Sequence, residues 1–419
     1  MAHAPASPGP RRGWGEMFSA LQYRNYRLLW ITTVLVSGGN WIQQITLGWL
    51  AKELTDSPLK VSIVVGLRTL PMLASPMVGV LADRVDRRRL LMADQVFLTI
   101  LGIAFAIDLL TGSIREWHLY VFAVLAGVGW AFTNPVRQVL VANSVPRPAL
   151  MNAIALNSMA FNSMRMLGPA AGGFLIAFFG PGVNFLIQAV MYALVVVLMV
   201  PYRAEYASTR RREEIRSPFH ELWEGFRYML HQPVIRTGLV MSFIATICYM
   251  SFITTQAPVF VADVLGDDSG RDLGLLLFAM GVGGFVGTIV LARLTHIQRK
   301  GMLVILSVAG AGAGLMGLSF TAVLWASMAV MAVQQFCFIT VMTTDNTILQ
   351  SITPDHMRGR VMGVYMLDIG FQPLGGVTAG IIAEMVSVQA AWFTGGALGL
   401  AACIAVALAA PSFRNLRVG

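Results

Sequence analysis

Long apolar runs alternate with short polar breaks along this chain. Dividing it at charges, prolines and glycines leaves twelve apolar segments, near 27–50, 59–82, 90–110, 117–138, 149–179, 182–201, 235–261, 272–293, 301–320, 322–345, 361–385 and 389–410. A helix needs about 20 such residues to cross a hydrocarbon core roughly 30 Å thick. "LVVVLMV" before Pro201 and "GALGLAACIAVALAA" before Pro411 are typical and lack the period-two alternation of a barrel strand. The fifth segment is longer than a bilayer requires and is expected to tilt or to protrude. One polar stretch, Tyr202 to Pro233, interrupts the series. Within it Phe219, Leu222, Trp223, Phe226 and Leu230 recur at helical spacing, which predicts an amphipathic helix on the membrane surface. Ala204–Arg216, ahead of it, reads as a linker.

Composition agrees with this reading. The 419 residues are 56% hydrophobic and 12% charged, about half the charge fraction of a soluble domain. The net charge of +9 does not indicate nucleic acid. The cations sit in the turns, where they orient a membrane chain. With the N-terminus inside, the inner turns hold Arg11, Arg12, Arg84, Arg87, Arg88, Arg89, Arg137, Arg147 and the arginines of the central stretch. The outer turns hold Lys52, Lys60, Arg115 and Arg271. This asymmetry predicts an even number of spans with both termini cytoplasmic. The Pro- and Ala-rich start, Met1–Gly13, has no apolar core and is not expected to be a cleaved signal. Cys248, Cys337 and Cys403 lie in apolar runs without metal-ligand spacing and are expected to be packing residues.

The two halves repeat. "VPRPALMNAIALN" at 145–157 precedes "GPAAGG" at Gly168; "TPDHMRGRVMGVY" at 353–365 precedes "GVTAG" at Gly376. Pro146 thus aligns with Pro354, Gly168 with Gly376 and Gly172 with Gly380. "VLAD" at 80–83 aligns with "VLAR" at 290–293 at nearly the same offset. The expectation is an all-α membrane protein of twelve transmembrane helices in two pseudo-symmetric six-helix bundles. Its parts would be a cytoplasmic segment 1–26, a bundle 27–201, a central loop 202–234, a second bundle 235–410 and a tail 411–419.

The densest charge lies in "GVLADRVDRRRLL", 79–91. Gly79, Asp83, Arg84, Arg87 and Arg88 fit G-x-x-x-D-R-x-x-R-R, and in this the chain resembles the major facilitator superfamily. Asp86 stands where that signature commonly has Gly, a departure shared by the enterobactin-exporter-like branch. "YRNYRLLW" (23–30), "LRTLP" (67–71), "NPVRQ" (134–138), "NSMAFNSMRMLGPAAGG" (157–173) and "PDHMRGRVMGVYML" (354–367) resemble the same branch, so the similarity spans roughly Glu16 to Pro411. The resemblance implies a conformational latch. Asp83 would meet a helix start near Gly363 in the other half, and the arginines would meet carboxylates or lipid phosphates. The plain alternative is a positive-inside turn, which accounts for the arginines and not for Asp83. Gly168, Pro169, Gly172 and Gly173 resemble the helix-five signature of exporters, though Met164 stands where that pattern has its first Gly. Ordinary small-residue packing is the alternative there.

Ionisable residues within spans are costly and tend to face a cavity or a partner. Arg68 and Arg165 fall inside spans and are expected to hold helix ends or the interface between halves. Asp108 and Asp345 are expected at solvated helix ends, and Asp94 beside the arginine cluster. Asp368 lies about two turns into the eleventh span with Gln372 one turn further on the same face. A desolvated carboxyl there is a proton-coupling candidate; a permanent structural pairing is the alternative. Asn40, Gln43, Gln44, Asn157, Asn162, Gln256, Gln334 and Gln372 are candidate cavity amides. They and the 24 methionines suit varied amphipathic solutes.

With no phosphate-binding loop and no catalytic constellation, the expected activity is transport and not catalysis. The resemblance implies a monomeric secondary transporter in a bacterial cytoplasmic membrane. It would export a drug, siderophore or metabolite by proton antiport, with protons and lipids as partners and no cofactor or metal. An importer or lipid-handling member of the superfamily, or a receptor on the same fold, are the alternatives.

Overall fold

The computed structural model describes residues 18–74, 85–203, 218–293 and 298–416, and every regular element in them is helical. Helix α1 (Arg24–Thr55) is 32 residues long. A single left-handed residue, Asp56 (φ 46°), then turns the chain, a conformation that short Asp tolerates better than most side chains. Lys52 donates a hydrogen bond to Asp56 and holds its carboxyl below the usual range. Helix α2 (Pro58–Thr69) follows at once, with Pro58 in its first turn and the Ser57 hydroxyl accepting from the Lys60 amide at 3.3 Å. A 3₁₀ segment, Leu70–Ala74, continues it.

Helix α3 (Arg87–Leu110) begins at Asp86, whose carboxylate accepts from the Arg89 amide at 2.8 Å. The residue that departs from the superfamily signature is therefore an N-cap. Helix α4 is Glu116–Ala142, and α5 runs over Leu150–Met199 with a break at Gly180 (φ 76°, ψ 168°) before Pro181. Only glycine takes those angles easily, so the fifth and sixth apolar segments meet where the sequence divides them.

Beyond the central stretch come α6 (Pro218–His231), α7 (Pro233–Ile244) and α8 (Ser251–Phe260). Two π-helical segments, Ala245–Met250 and Val261–Leu265, follow α7 and α8 respectively. Then follow α9 (Arg271–Arg293), α10 (Lys300–Leu318), α11 (Leu324–Ile352), α12 (Asp355–Met366) and a 3₁₀ segment (Leu367–Phe371). Helices α13 (Gln372–Met385), α14 (Val388–Ala409) and the short α15 (Pro411–Arg414) complete the chain. Among the described residues, nine helical segments are long and apolar enough to cross a membrane. Helix α1 is not one of them despite its length, because Asn40, Gln43 and Gln44 interrupt its apolar run.

Small residues and a few interhelical hydrogen bonds hold the helices together, as expected where lipid removes most of the hydrophobic drive. Helix α1 lies along α5, with the Tyr26 hydroxyl donating to the Ala153 carbonyl at 2.7 Å and Trp30 to that of Leu156 at 3.0 Å. Phe105, Phe122 and Phe185 cluster between α3, α4 and α5, with ring centroids 4.1 to 5.1 Å apart. In the second half Gly283 of α9 lies against the Ala332 backbone of α11, and Gly312 of α10 against Gly396 of α14.

The amphipathic helix takes a more defined seat than a membrane surface alone. Gly225 of α6 abuts the Arg360 backbone of α12, and Glu224 pairs with Arg360 at 2.6 Å. Trp223, Phe226 and Leu230 remain exposed on its free flank. The linker expected over Ala204–Arg216 lies outside the described residues.

Candidate functional site: a cavity between the halves

At one end the N- and C-terminal halves of the chain are tied directly. Lys52 of α1 pairs with Asp263 at 2.8 Å. The Ser57 hydroxyl donates to Glu384 at 2.7 Å, and the Leu59 amide to the same carboxylate at 3.3 Å. Gln256 of α8 donates to the Ser62 hydroxyl at 2.6 Å. Below these ties α5 and α9 meet backbone to backbone. A Cβ at Gly173 would stand 2.4 Å from the Gly274 Cα. The helix-five glycines divide their work: Gly168 and Gly172 face Trp41 and Ile45 of α1, and Gly173 faces the opposite half. Of their repeat partners, Gly376 meets Thr255 of α8 in its own half, as Gly168 meets α1, whereas Gly380, aligned with Gly172, meets Ser62 of the opposite half.

Away from this closed end the halves part around a cavity of about 700 Å³. Asn40, Trp41 and Gln44 of α1, Arg68 of α2, Trp130 and Asn134 of α4, and Asn162 and Arg165 of α5 form one wall. Thr246, Met342, Asn346, Tyr365, Asp368 and Gln372 lie on the other. Of the eight candidate amides, Asn40, Gln44, Asn162 and Gln372 lie in its lining.

The other four do not line it. Gln43 accepts from the Arg68 Nε at 3.3 Å and Nη2 at 3.1 Å. Asn157 accepts from the Thr33 hydroxyl at 2.7 Å, and Gln256 ties the closed end. Gln334 is fully buried within α11. Spacing along a helix fixes the azimuth of residues relative to one another and not which way the helix is turned, so no sequence signal separates these from the cavity set.

The charged residues also redistribute. Arg68 is 5% exposed, and its guanidinium reaches Asn40 and Gln43, both neutral. Arg165 stands over the Trp41 ring, 5.9 Å from its centroid. Asp368 is buried in the 3₁₀ segment between α12 and α13, not on a continuous helix. Its Oδ2 accepts from Thr246 at 2.6 Å and Ser242 at 2.9 Å. Thr246 comes from a π-helical segment, so both sides of this contact sit at helix irregularities, a frequent mark of function.

Asp345 is not at a solvated helix end. It is fully buried in α11, its carboxyl oxygens have no hydrogen-bond partner among the described residues, and it lies within electrostatic reach of Asp368. The space it occupies depends on Gly238 of α7, where a Cβ would stand 2.3 Å from Oδ1. Gly238→Ala is accordingly expected to destabilise the fold by about 1–3 kcal/mol, read as a lowered Tm in detergent.

Asp94 accepts from Thr133 and Gln95 inside the bundle. Asp108 is not simply solvated: it pairs with His118. Arg137, expected in a turn, is 7% exposed inside α4 and donates to Thr33.

Gly79, Asp83 and Arg84 lie outside the described residues. Of the remaining cluster, Arg88 donates to the carbonyls of Met199, at 2.9 Å, and Val200, both in its own half.

Comparison with known proteins agrees with this architecture. The profile described as "Transmembrane secretion effector" matches residues 16–416. The chain is 27% identical to the multidrug efflux pump Tap of Mycolicibacterium fortuitum, covering 87% of this chain and 90% of that one. It is 26% identical to the staphyloferrin A transporter of Staphylococcus aureus (84% and 87% covered) and to the enterobactin exporter EntS of Shigella flexneri (81% of each). A bacterial homologue of the lysosomal transporter Spinster, in an inward-facing and unoccupied conformation, superposes with a TM-score of 0.68 at 15% identity, over 94% of this chain and 96% of that one. The chain belongs to the transmembrane secretion effector family of the major facilitator superfamily, and its relatives include a multidrug efflux pump and siderophore transporters.

Proposed function

We propose that this protein exports a small organic solute across the bacterial cytoplasmic membrane by alternating access, driven by proton entry. The observation that carries this reading is the cavity. It is shared by both halves, shut at one end by direct ties, and has a buried carboxyl, Asp368, in its wall. Twelve helices in two six-helix bundles, joined by the 202–234 loop, with both termini cytoplasmic, complete the architecture. The repeated placement of Gly168 and Gly376 supports it, as does the crowding of cations into alternate turns. The closed end then faces outward, and the cavity is that of an inward-open state.

Asp83 and the arginines engage the other half only when the inner end closes. Arg88 instead donates to carbonyls of its own half. Such a latch needs two discrete arrangements of the same interface.

A test follows in everted membrane vesicles: solute should accumulate inside them with simultaneous proton release. Uptake in right-side-out cells, with none in everted vesicles, would refute export.

At the closed end, Lys52→Gln removes the pairing to Asp263. The pair is partly exposed, so the expected shift toward the outward-open state is about twofold to fivefold. Spin-label distances across that end measure it.

One observation favours a lipid-facing variant of this reading. A second cleft of about 270 Å³ opens between α5, α9 and α11 and shares Ser158, Asn162 and Arg165 with the main cavity. Phe285 and Ile289 on its rim are exposed. An amphipathic solute could therefore enter sideways from the bilayer.

A further inference from the structure

The three charged residues lining the main cavity are divided between its two walls. Arg68 and Arg165 come from the N-terminal half and Asp368 from the C-terminal half. Neither arginine forms an ion pair with a carboxylate among the described residues. The polar partners of Arg68 are the neutral side chains of Asn40 and Gln43 and the Asn40 carbonyl. Among the described residues Arg165 meets the face of Trp41 and no hydrogen-bonding partner. On the opposite wall, Asp368 spends Oδ2 on two hydroxyls, while Oδ1 is buried with no hydrogen-bond partner. The apolar part of the lining comes from both walls: Trp41, Trp130 and Phe161 on one, Phe338 and Met342 on the other.

Charges held out of water without a counter-charge are costly, and a site retains them where a ligand supplies the counter-charge. A solute that is only cationic would satisfy Asp368 and meet two arginines. A solute that is only anionic would satisfy the arginines and meet a carboxylate. We propose that the cavity binds a bipolar solute: an anionic group on Arg165 and Arg68, an apolar and preferably aromatic body between the walls, and a cationic group on Asp368. This rests on the transport reading above and sharpens it. The cationic group of the solute and the driving proton then occupy the same carboxylate in turn, so one excludes the other.

The test uses the purified full-length chain and intrinsic tryptophan fluorescence, without any gradient. The probes are a biphenyl with an aminomethyl group at one end and a carboxylate at the other, its methyl ester, which is only cationic, and its N-acetyl form, which is only anionic. The bipolar probe is expected to bind at least about tenfold more tightly than either analogue, the scale of one well-placed charge contact. Arg165→Gln should remove its advantage over the ester, Arg165→Lys should keep it, and Asp368→Asn should remove its advantage over the N-acetyl form. Melting curves confirm that each variant is folded. Equal affinity for the three probes, or the same loss for all of them in each folded variant, overturns the proposal. Proton-driven flux in vesicles is scored separately, so the transport reading can stand when the bipolar one falls.

Discussion

Asp368→Asn is expected to abolish uphill transport, lowering proton-driven accumulation to the background of empty vesicles, while downhill movement of the same solute persists. The substitution keeps the shape of the side chain and leaves an oxygen to accept from Ser242 and Thr246, the two donors that hold it now. What it removes is the capacity to gain and lose a proton. A carboxyl in this position is buried, sits at a break between α12 and α13, and faces the shared cavity. Those are the requirements for a group that is reached from alternate sides as the halves rock. The measurement is solute-dependent proton movement reported by a trapped pH dye, with downhill counterflow as the control. Full uphill transport in a folded Asp368→Asn variant would exclude this residue as the proton carrier. Asp345, buried close by with no hydrogen-bond partner for its carboxyl among the described residues, is then the group to substitute next.

The second large effect concerns the closed end. At Gly173 an added Cβ would stand 2.4 Å from the Gly274 Cα, 2.6 Å from its nitrogen and 2.9 Å from the Gly270 carbonyl oxygen. These are backbone atoms, so no rotamer change relieves the contact, and α5 and α9 must separate. Gly173→Ala is expected to cost about 1–3 kcal/mol in the closed-outside state, which amounts to a shift of about fivefold to over a hundredfold toward the outward-open one. Transport should fall in proportion, because the cycle must pass through the disfavoured state. Gly172→Ala is a useful contrast. It meets Ile45 and the Ile42 backbone of its own half, so it should lower Tm with a much smaller change in the distance between halves. Distances from spin labels flanking residues 57 and 384 report the result. An unchanged distribution and unchanged flux in Gly173→Ala would show that this contact does not hold the outer end shut.

Much of the candidate site is visible in the sequence because charge is rare in an apolar chain. Arg68, Arg165 and Asp368 stand out for that reason, and all three line the cavity. The amides are harder. Asn40 and Gln43 lie within one turn of α1 and both accept from Arg68, yet only Asn40 is in the cavity lining. In a soluble helix an apolar stripe would mark the inner face. Here lipid and neighbouring helices are both apolar, and that stripe is missing. Arg137 and Asp345 show the converse failure. Each lies within two turns or so of a helix end, where solvation is the natural expectation, and each is enclosed by packing from other helices.

The linear pattern of apolar runs and turns determined an all-helical, multi-pass membrane chain, because hydropathy and helix punctuation are local properties, and the quoted motifs carried its resemblance to the superfamily. The tertiary structure alone decided which polar groups share a cavity, that Asp368 sits in a 3₁₀ break opposite two arginines, and that Lys52, Ser57 and Gly173 close one end against the other half. Those facts depend on the rotation of each helix about its axis and on partners more than a hundred residues away. A period of 3.6 residues carries that information only where water lies on one side and protein on the other.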